Sequence, residues 1–180
     1  MKQITILLLF ILLCLAAGAV GSIFTAEAIP TWYQSIIKPA FNPPSWIFGP
    51  VWTILYVLMG VSLYLVWKND WKVLNPVLVP SKKVWNRWSE SFWVGAWQKQ
   101  NVIAIFAIQY VLNILWSYVF FGLRMPGLAF FEILALWVSI IYLIINFYRI
   151  SKPAAWILIP YIFWVSFAVY LNYSIWALNR

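Results

Sequence analysis

The chain has 180 residues, of which 65% are hydrophobic and only 9% charged. Soluble domains run nearer half apolar and a quarter charged, so a core assembled by water is excluded and the chain reads as one that dissolves in lipid. It has no histidine and a single cysteine, Cys14, which excludes His-based metal sites, Ser-His triads, histidine haem ligation and an internal disulfide framework.

Five apolar runs follow one another, at roughly 4–24, 46–67, 101–122, 128–149 and 154–177. Each is about 20 residues long, enough at ~1.5 Å per residue to cross a ~30 Å hydrocarbon core. The pattern predicts an all-α integral membrane bundle of five transmembrane helices, one domain spanning the whole chain. The first run, opening at Lys2 and closing in Ala16, Ala17, Gly18, Ala19 and Gly21, reads either as a retained helix or as a secretory signal. Its length and the lack of a clean Ala-x-Ala site favour the helix, and its small residues suit close helix contact.

A loop over about 25–45 carries Pro30, Pro39, Pro43 and Pro44. Proline fixes φ and restricts its predecessor, so the loop is expected to be stiff. The second helix then places Trp52, Tyr56 and Met59 on one face. The connection over 68–100 mixes Trp71, Trp85, Trp88, Trp93 and Trp97 with Lys and Arg, the composition of a segment lying in the membrane interface.

Helix three carries Gln109, Asn113, Trp116, Ser117 and Phe120 on one stripe. Short turns at Gly122–Gly127 and Ile150–Pro153 predict antiparallel neighbours. Glu132, one turn into helix four, is a functional candidate as an intramembrane carboxylate. Its place near the helix start, with Arg124 close in sequence, favours a structural role. Helix five carries Trp164, Phe167, Ala168, Leu171 and Asn172 with helical spacing.

The remaining charge is topogenic. Lys2, Lys68, Lys72, Lys82, Lys83, Arg87, Lys99, Arg149 and Lys152 fall on one side of five alternating helices, against Lys38, Arg124 and Arg180 on the other. This asymmetry places the amino terminus inside and accounts for the net charge of +8 without a nucleic acid partner. Acidic residues are only Glu27, Asp70, Glu90 and Glu132, too scattered for a two-metal or paired-carboxylate site.

Two readings of the three stripes stand. The amides glue helices together and the rings fill the core, or the stripes wall a ligand pocket. Tight helical interfaces favour Gly, Ala and Ser, whereas these faces present rings, whose flat walls suit a planar apolar ligand oriented by a few polar groups.

Trp32-Tyr33, Lys38-Pro39, Pro43-Pro44, Phe48-x-Pro50-Val51-Trp52, Leu55-Tyr56, Met59-Gly60 and Tyr64 to Trp67 resemble the signature of the TspO/MBR family of translocator proteins. The resemblance continues through Gly18, Gly21-Ser22, Gln109, Asn113, Trp116-Ser117, Phe120-Phe121-Gly122, Pro160-Tyr161, Trp164, Phe167, Leu171 to Tyr173 and Trp176. It implies a retained first helix and a five-helix bundle, usually a homodimer, that binds tetrapyrroles such as protoporphyrin and haem as ligands, with no cofactor or metal required. Residues carried over to the pocket are Trp52, Tyr56, Asn113, Trp116, Trp164, Ala168 and Asn172, with Phe167 and Leu171 of the same helix-five stripe beside them. A lid above them would comprise Trp32, Lys38, Pro39, Phe41, Pro43 and Pro44.

The function so implied is a receptor or binding protein for tetrapyrroles, active in their handling or in stress regulation. Some bacterial relatives are reported to degrade protoporphyrin in light through tryptophans matching Trp52 and Trp164, which makes a light-dependent enzyme the alternative. A transporter is disfavoured by the lack of an internal repeat. Phe41 stands where the family usually has tryptophan, and the 68–100 connection is longer than the family norm. Tyr173 is followed by six residues before Arg180, so the cholesterol pattern fails and sterol binding is disfavoured. The expected location is a bacterial cell membrane, or the mitochondrial outer membrane in a eukaryote.

Overall fold

The computed structural model describes residues 2–69 and 99–180. The expected interfacial tryptophans Trp71, Trp85, Trp88, Trp93 and Trp97 lie outside the described residues. Among the described residues there is no strand. The helices are α1 (Lys2–Ala28), the short α2 (Trp32–Ser35), α3 (Phe48–Lys68), α4 (Lys99–Ser117), α5 (Pro126–Ile150), α6 (Lys152–Ile157) and α7 (Ile159–Leu178). Five stretches are long and apolar enough to span a bilayer: Lys2–Ala28, Ser45–Lys68, Val102–Gly122, Pro126–Ile150 and Lys152–Leu178. The five-helix membrane architecture expected from the apolar runs is therefore present.

Two local departures have identifiable causes. The fifth span is not one unbroken helix but α6 and α7, meeting at Leu158. Pro160 lacks an N–H and its ring crowds the preceding turn, so the ladder tightens there. The N–H of Tyr161 reaches back only three residues, to Leu158 O at 3.1 Å. At the end of the third span the ladder instead loosens into one wide turn over Tyr118–Gly122, closed by the Leu123 N–H on Tyr118 O at 2.8 Å. A wide turn changes the angular step between residues. Consecutive Val119, Phe120 and Phe121 are all buried here, which a regular helix with one inward face does not allow.

The helices associate where small residues remove the barrier to close approach. A Cβ on Gly60 of α3 would lie 2.6 Å from Ile11 Cα of α1, so the two backbones touch at that point. Gly18 and Gly21 of α1 play the same part against Tyr56 of α3 and Ser117 of α4. Ala17 is fully buried, whereas Ala16 and Ala19 of the same run are exposed. α1 is thus an integral stave of the bundle, as expected of a retained helix. The core layer is continued by Leu136, Ile140, Leu143 and Phe147 of α5 and by Tyr161 and Val165 of α7, all fully buried or nearly so. Leu8, Leu12, Ile54, Ile108, Phe131 and Phe163 point outward, as the side chains of a lipid-facing surface do.

Candidate functional site

Inside the end of the bundle nearest the 29–47 loop lies a cavity of about 370 Å³. α1 supplies Leu15, Gly18, Gly21, Ser22 and Thr25; α3 supplies Phe48, Gly49, Trp52, Thr53 and Tyr56. Trp116, Ser117, Phe120 and Phe121 come from the third span, and Trp164, Phe167, Ala168, Leu171, Asn172 and Ile175 from α7. Eight of the nine residues expected at a ligand site therefore converge on one space: Trp52, Tyr56, Trp116, Trp164, Phe167, Ala168, Leu171 and Asn172.

The rings on one side stand nearly parallel. Trp52 stacks on Tyr56 at 5.7 Å and 29°, faces Trp116 at 6.3 Å and 31°, and Trp116 stacks on Phe120 at 5.3 Å and 25°. Trp164 and Phe167, 5.6 Å apart, stand on α7. Rings tilted by 25–31° from one to the next line the cavity with aromatic surface, on which a planar guest can pack offset or edge to face.

The ninth residue, Asn113, does not line the cavity. It lies one layer deeper as the centre of a buried chain of hydrogen bonds. Tyr56 Oη donates to Asn113 Oδ1 at 2.5 Å, Asn113 Nδ2 donates to Tyr161 Oη at 2.8 Å, and Tyr161 Oη donates to Gln109 Oε1 at 3.1 Å. This chain orients the Tyr56 ring and ties α3, α4 and α7 together. A second tie fixes Trp116: its Nε1 donates to Asn172 Oδ1 at 3.1 Å, and Asn172 Nδ2 donates to Pro126 O at 2.7 Å.

None of the six expected lid residues lines the cavity; they brace the loop instead. Lys38 Nζ donates to the carbonyls of Tyr33, Gln34 and Ile36 at 2.6, 3.2 and 3.0 Å. Pro39 O closes a turn with the Asn42 N–H at 2.9 Å, and Pro44 O accepts the Ile47 N–H at 3.0 Å as α3 begins. Pro43 O accepts from Asn42 Nδ2. Trp32 packs edge-on against Phe120 at 5.6 Å, and Phe41 stacks on Tyr170 at 4.9 Å. The covering residues are Ile29 and Tyr33. Burial pushes the Tyr33 phenol up to about 12 against the opposing effect of its hydrogen bond to Asn42, so at neutral pH it stays a donor, to Asn42 Oδ1 at 2.6 Å.

The loop is also clamped to the end of α7. Asn179 Oδ1 accepts the Ile37 N–H, and Asn179 Nδ2 donates to Ile37 O, both at 2.9 Å.

Sequence reasoning missed Tyr33, Phe48, Ser22 and Thr25 as lining residues, and Tyr161 as the link in the buried chain. Phe48 extends the Trp52–Tyr56 stripe back by four residues, a signal that was available. Gly18, Ser22 and Thr25 likewise share a face of α1. Glu132 stands outside the cavity, and no ion pair joins it to Arg124. Both its carboxylate oxygens are buried with no hydrogen-bond partner. Among the described residues no cluster of three metal-ligating side chains occurs.

The fold and the cavity define an integral membrane protein of five spans with an aromatic pocket between its helices. The sequence profile of the TspO/MBR family matches residues 10–177. The chain is 42% identical to the tryptophan-rich protein TspO of Chlorobaculum tepidum over 178 residues, covering 99% of this chain and 98% of that one. It is 40% identical to the tryptophan-rich protein TspO of Archaeoglobus fulgidus, with 94% of each chain covered. It is 31% identical to the translocator protein of Bos taurus, covering 95% of this chain and 88% of the relative. The chain belongs to the TspO/MBR family.

Proposed function

We propose that the cavity binds a planar tetrapyrrole and that the protein acts as a membrane receptor in tetrapyrrole handling. The observation that carries this reading is the near-parallel row Tyr56–Trp52–Trp116–Phe120 beside a cavity within the ~300–1,000 Å³ usual for small-molecule sites.

The lining favours metal-free protoporphyrin over haem. It holds no His, Cys or Met, and the Tyr56 and Tyr33 hydroxyls already donate to Asn113 and Asn42. Binding then comes from stacking and exclusion of lipid rather than from iron ligation. The lining carries no charged side chain, so the carboxylate rim of the ligand stays toward water.

Titrating protoporphyrin into the purified protein while following tryptophan fluorescence tests this. The expected result is saturable quenching, with Kd raised about fivefold in the Trp52→Phe, Trp164→Phe double variant by loss of stacking area. Unchanged affinity and quenching in that variant would reject the site.

One observation favours a second reading, a light-dependent porphyrin-degrading enzyme: Trp52 and Trp164 line the same cavity, so a porphyrin bound there would have two oxidisable indoles beside it. Illuminating the complex separates the two, since a receptor gives no product beyond the free-porphyrin control. The inside amino terminus implied by the basic residues and the homodimer implied by the family resemblance stand as proposals. Cysteine labelling from each side of the membrane tests the first, and the mass of the protein in nanodiscs tests the second.

A further inference from the structure

The cavity wall on α7 has an outer side. α3 and α7 are not among the helix pairs whose backbones pack closely; rings meet across the seam between them, Phe48 with Trp164 at 6.1 Å and Trp52 with Tyr161 at 6.4 Å. α6 fills the space between them only at the opposite end, where Ser62 Oγ donates to Ala154 O at 2.7 Å. On the lipid side of this seam lies a groove of about 450 Å³ lined by Val51, Ile54, Leu55, Pro160 and Phe163, together with Trp164 and Phe167. The last two rings line the interior cavity as well. Groove and cavity thus share one wall.

The hydrogen bonding of that wall differs from its surroundings. Trp116 is fixed by its bond to Asn172, and Trp137 by donating to Ser166 Oγ at 2.8 Å. Trp164 Nε1 is buried with no partner, so packing alone holds the ring, against Phe48 at 6.1 Å and Phe167 at 5.6 Å. Moving a side chain that makes no hydrogen bond sacrifices none, and a buried unsatisfied donor is itself unfavourable. The loop end of the cavity is closed quite differently, by the three carbonyl bonds of Lys38 and the double clamp of Asn179 on Ile37. Of the two closures, the lipid-side one has the fewer bonds to break.

We propose that the α3/α7 seam is the lateral passage through which the cavity exchanges its ligand with the bilayer. Trp164 is the moving barrier, and the groove receives the edge of the flat lipophilic ligand as it passes. The groove's lining is apolar throughout, matching a guest already dissolved in hydrocarbon. The identity of that guest rests on the tetrapyrrole reading above; the passage itself does not.

Two measurements test it in phosphatidylcholine vesicles. In the first, protoporphyrin association and dissociation are timed for the unaltered protein, for Ile54→Trp, which fills the groove from the lipid side, and for Ile108→Trp on the lipid face of α4. Ile54→Trp is expected to slow both rates about tenfold, the effect of ~1.4 kcal/mol of added barrier, and to leave Kd unchanged. Ile108→Trp is expected to alter neither rate. Unaltered rates in Ile54→Trp, or equal slowing in both variants, overturn the proposal. So does a change of oligomeric state in Ile54→Trp with unaltered rates, which assigns the groove to a second copy of the chain.

The second measurement needs no porphyrin. Vesicles of mid-chain-dibrominated phosphatidylcholine quench indoles that acyl chains touch. The Trp164 share of emission, read as the difference between the unaltered protein and Trp164→Phe, is expected to be quenched more than the Trp116 share read from Trp116→Phe. Equal quenching of the two overturns the passage. Failure of the unaltered protein to bind porphyrin, with Trp164 selectively quenched, counts against the tetrapyrrole reading alone.

Discussion

Replacing Gly60 by alanine adds one methyl group at the crossing of α1 and α3, where there is no space for it. The new Cβ would lie 2.6 Å from Ile11 Cα, 2.8 Å from Ile11 N and 2.9 Å from Phe10 O. All three are backbone atoms, so no rotamer change relieves the clash, and α1 must move off α3 by about 1 Å to reach ordinary contact near 3.5–4 Å. Overpacking of this kind costs ~1–3 kcal/mol, offset in part by the ~1 kcal/mol that alanine gains over glycine within a helix. The expected net loss is about 0–2 kcal/mol against the unaltered protein, and about 1–3 kcal/mol against a glycine-to-alanine control that gains the same propensity without the clash. Because α1 carries Leu15, Gly18 and Gly21 of the cavity wall, its displacement also widens the site and weakens ligand stacking. Thermal unfolding in detergent, followed by tryptophan emission, measures the first effect, and protoporphyrin titration the second. Gly49→Ala is the control: a Cβ there meets nothing within 4 Å, so it should unfold no earlier than the unaltered protein. If Gly60→Ala were as stable as that control, the close crossing would be wrong.

Asn113→Leu removes the acceptor for Tyr56 and the donor to Tyr161 while both hydroxyls stay buried, at an expected cost of ~1–3 kcal/mol per group left unsatisfied. Denaturant or thermal midpoints read the loss, and weaker protoporphyrin binding should accompany it as Tyr56 loses its fixed orientation; a midpoint equal to the unaltered protein's would show that the buried chain contributes nothing. Asn179→Ala frees Ile37 from α7 and should loosen the loop with little effect on the bundle. Limited proteolysis between Ile36 and Ala40 is the measurement, with faster cleavage at an unchanged unfolding temperature as the expected result. Glu132→Leu removes two buried acceptors without partners and should raise the unfolding midpoint, by the ~1–3 kcal/mol that an unsatisfied buried group costs. A lowered midpoint would mean that Glu132 has a partner in the membrane.

The spans were legible because lipid imposes a length and a composition that few other environments share, and ~20-residue apolar runs meet both. The inward faces of α3, α4 and α7 were legible because amides and rings recur there at helical spacing. Depth was not. Spacing puts Asn113 on the same stripe as Trp116, yet Trp116 borders the cavity and Asn113 lies behind it, because which layer a side chain reaches depends on how far apart the facing helices stand. That separation is set by residues such as Gly60 and Gly18, whose effect appears only when the opposing backbone is known. Composition likewise carried the expectation of a stiff loop but not which of its residues would face inward. Pro39, Pro43 and Pro44 shape the turns, and the cover falls to Ile29 and Tyr33.

The contrast among the tryptophans follows the same rule. Trp116 and Trp164 read alike in the sequence, each set on a stripe of helically spaced rings, with Asn113 one turn from the first and Asn172 two turns from the second. The structure gives one a hydrogen-bond acceptor and leaves the other without one. A fixed indole keeps the ligand wall flat, and an unpinned one lets that wall open, so the same residue type serves retention on one helix and exchange on another.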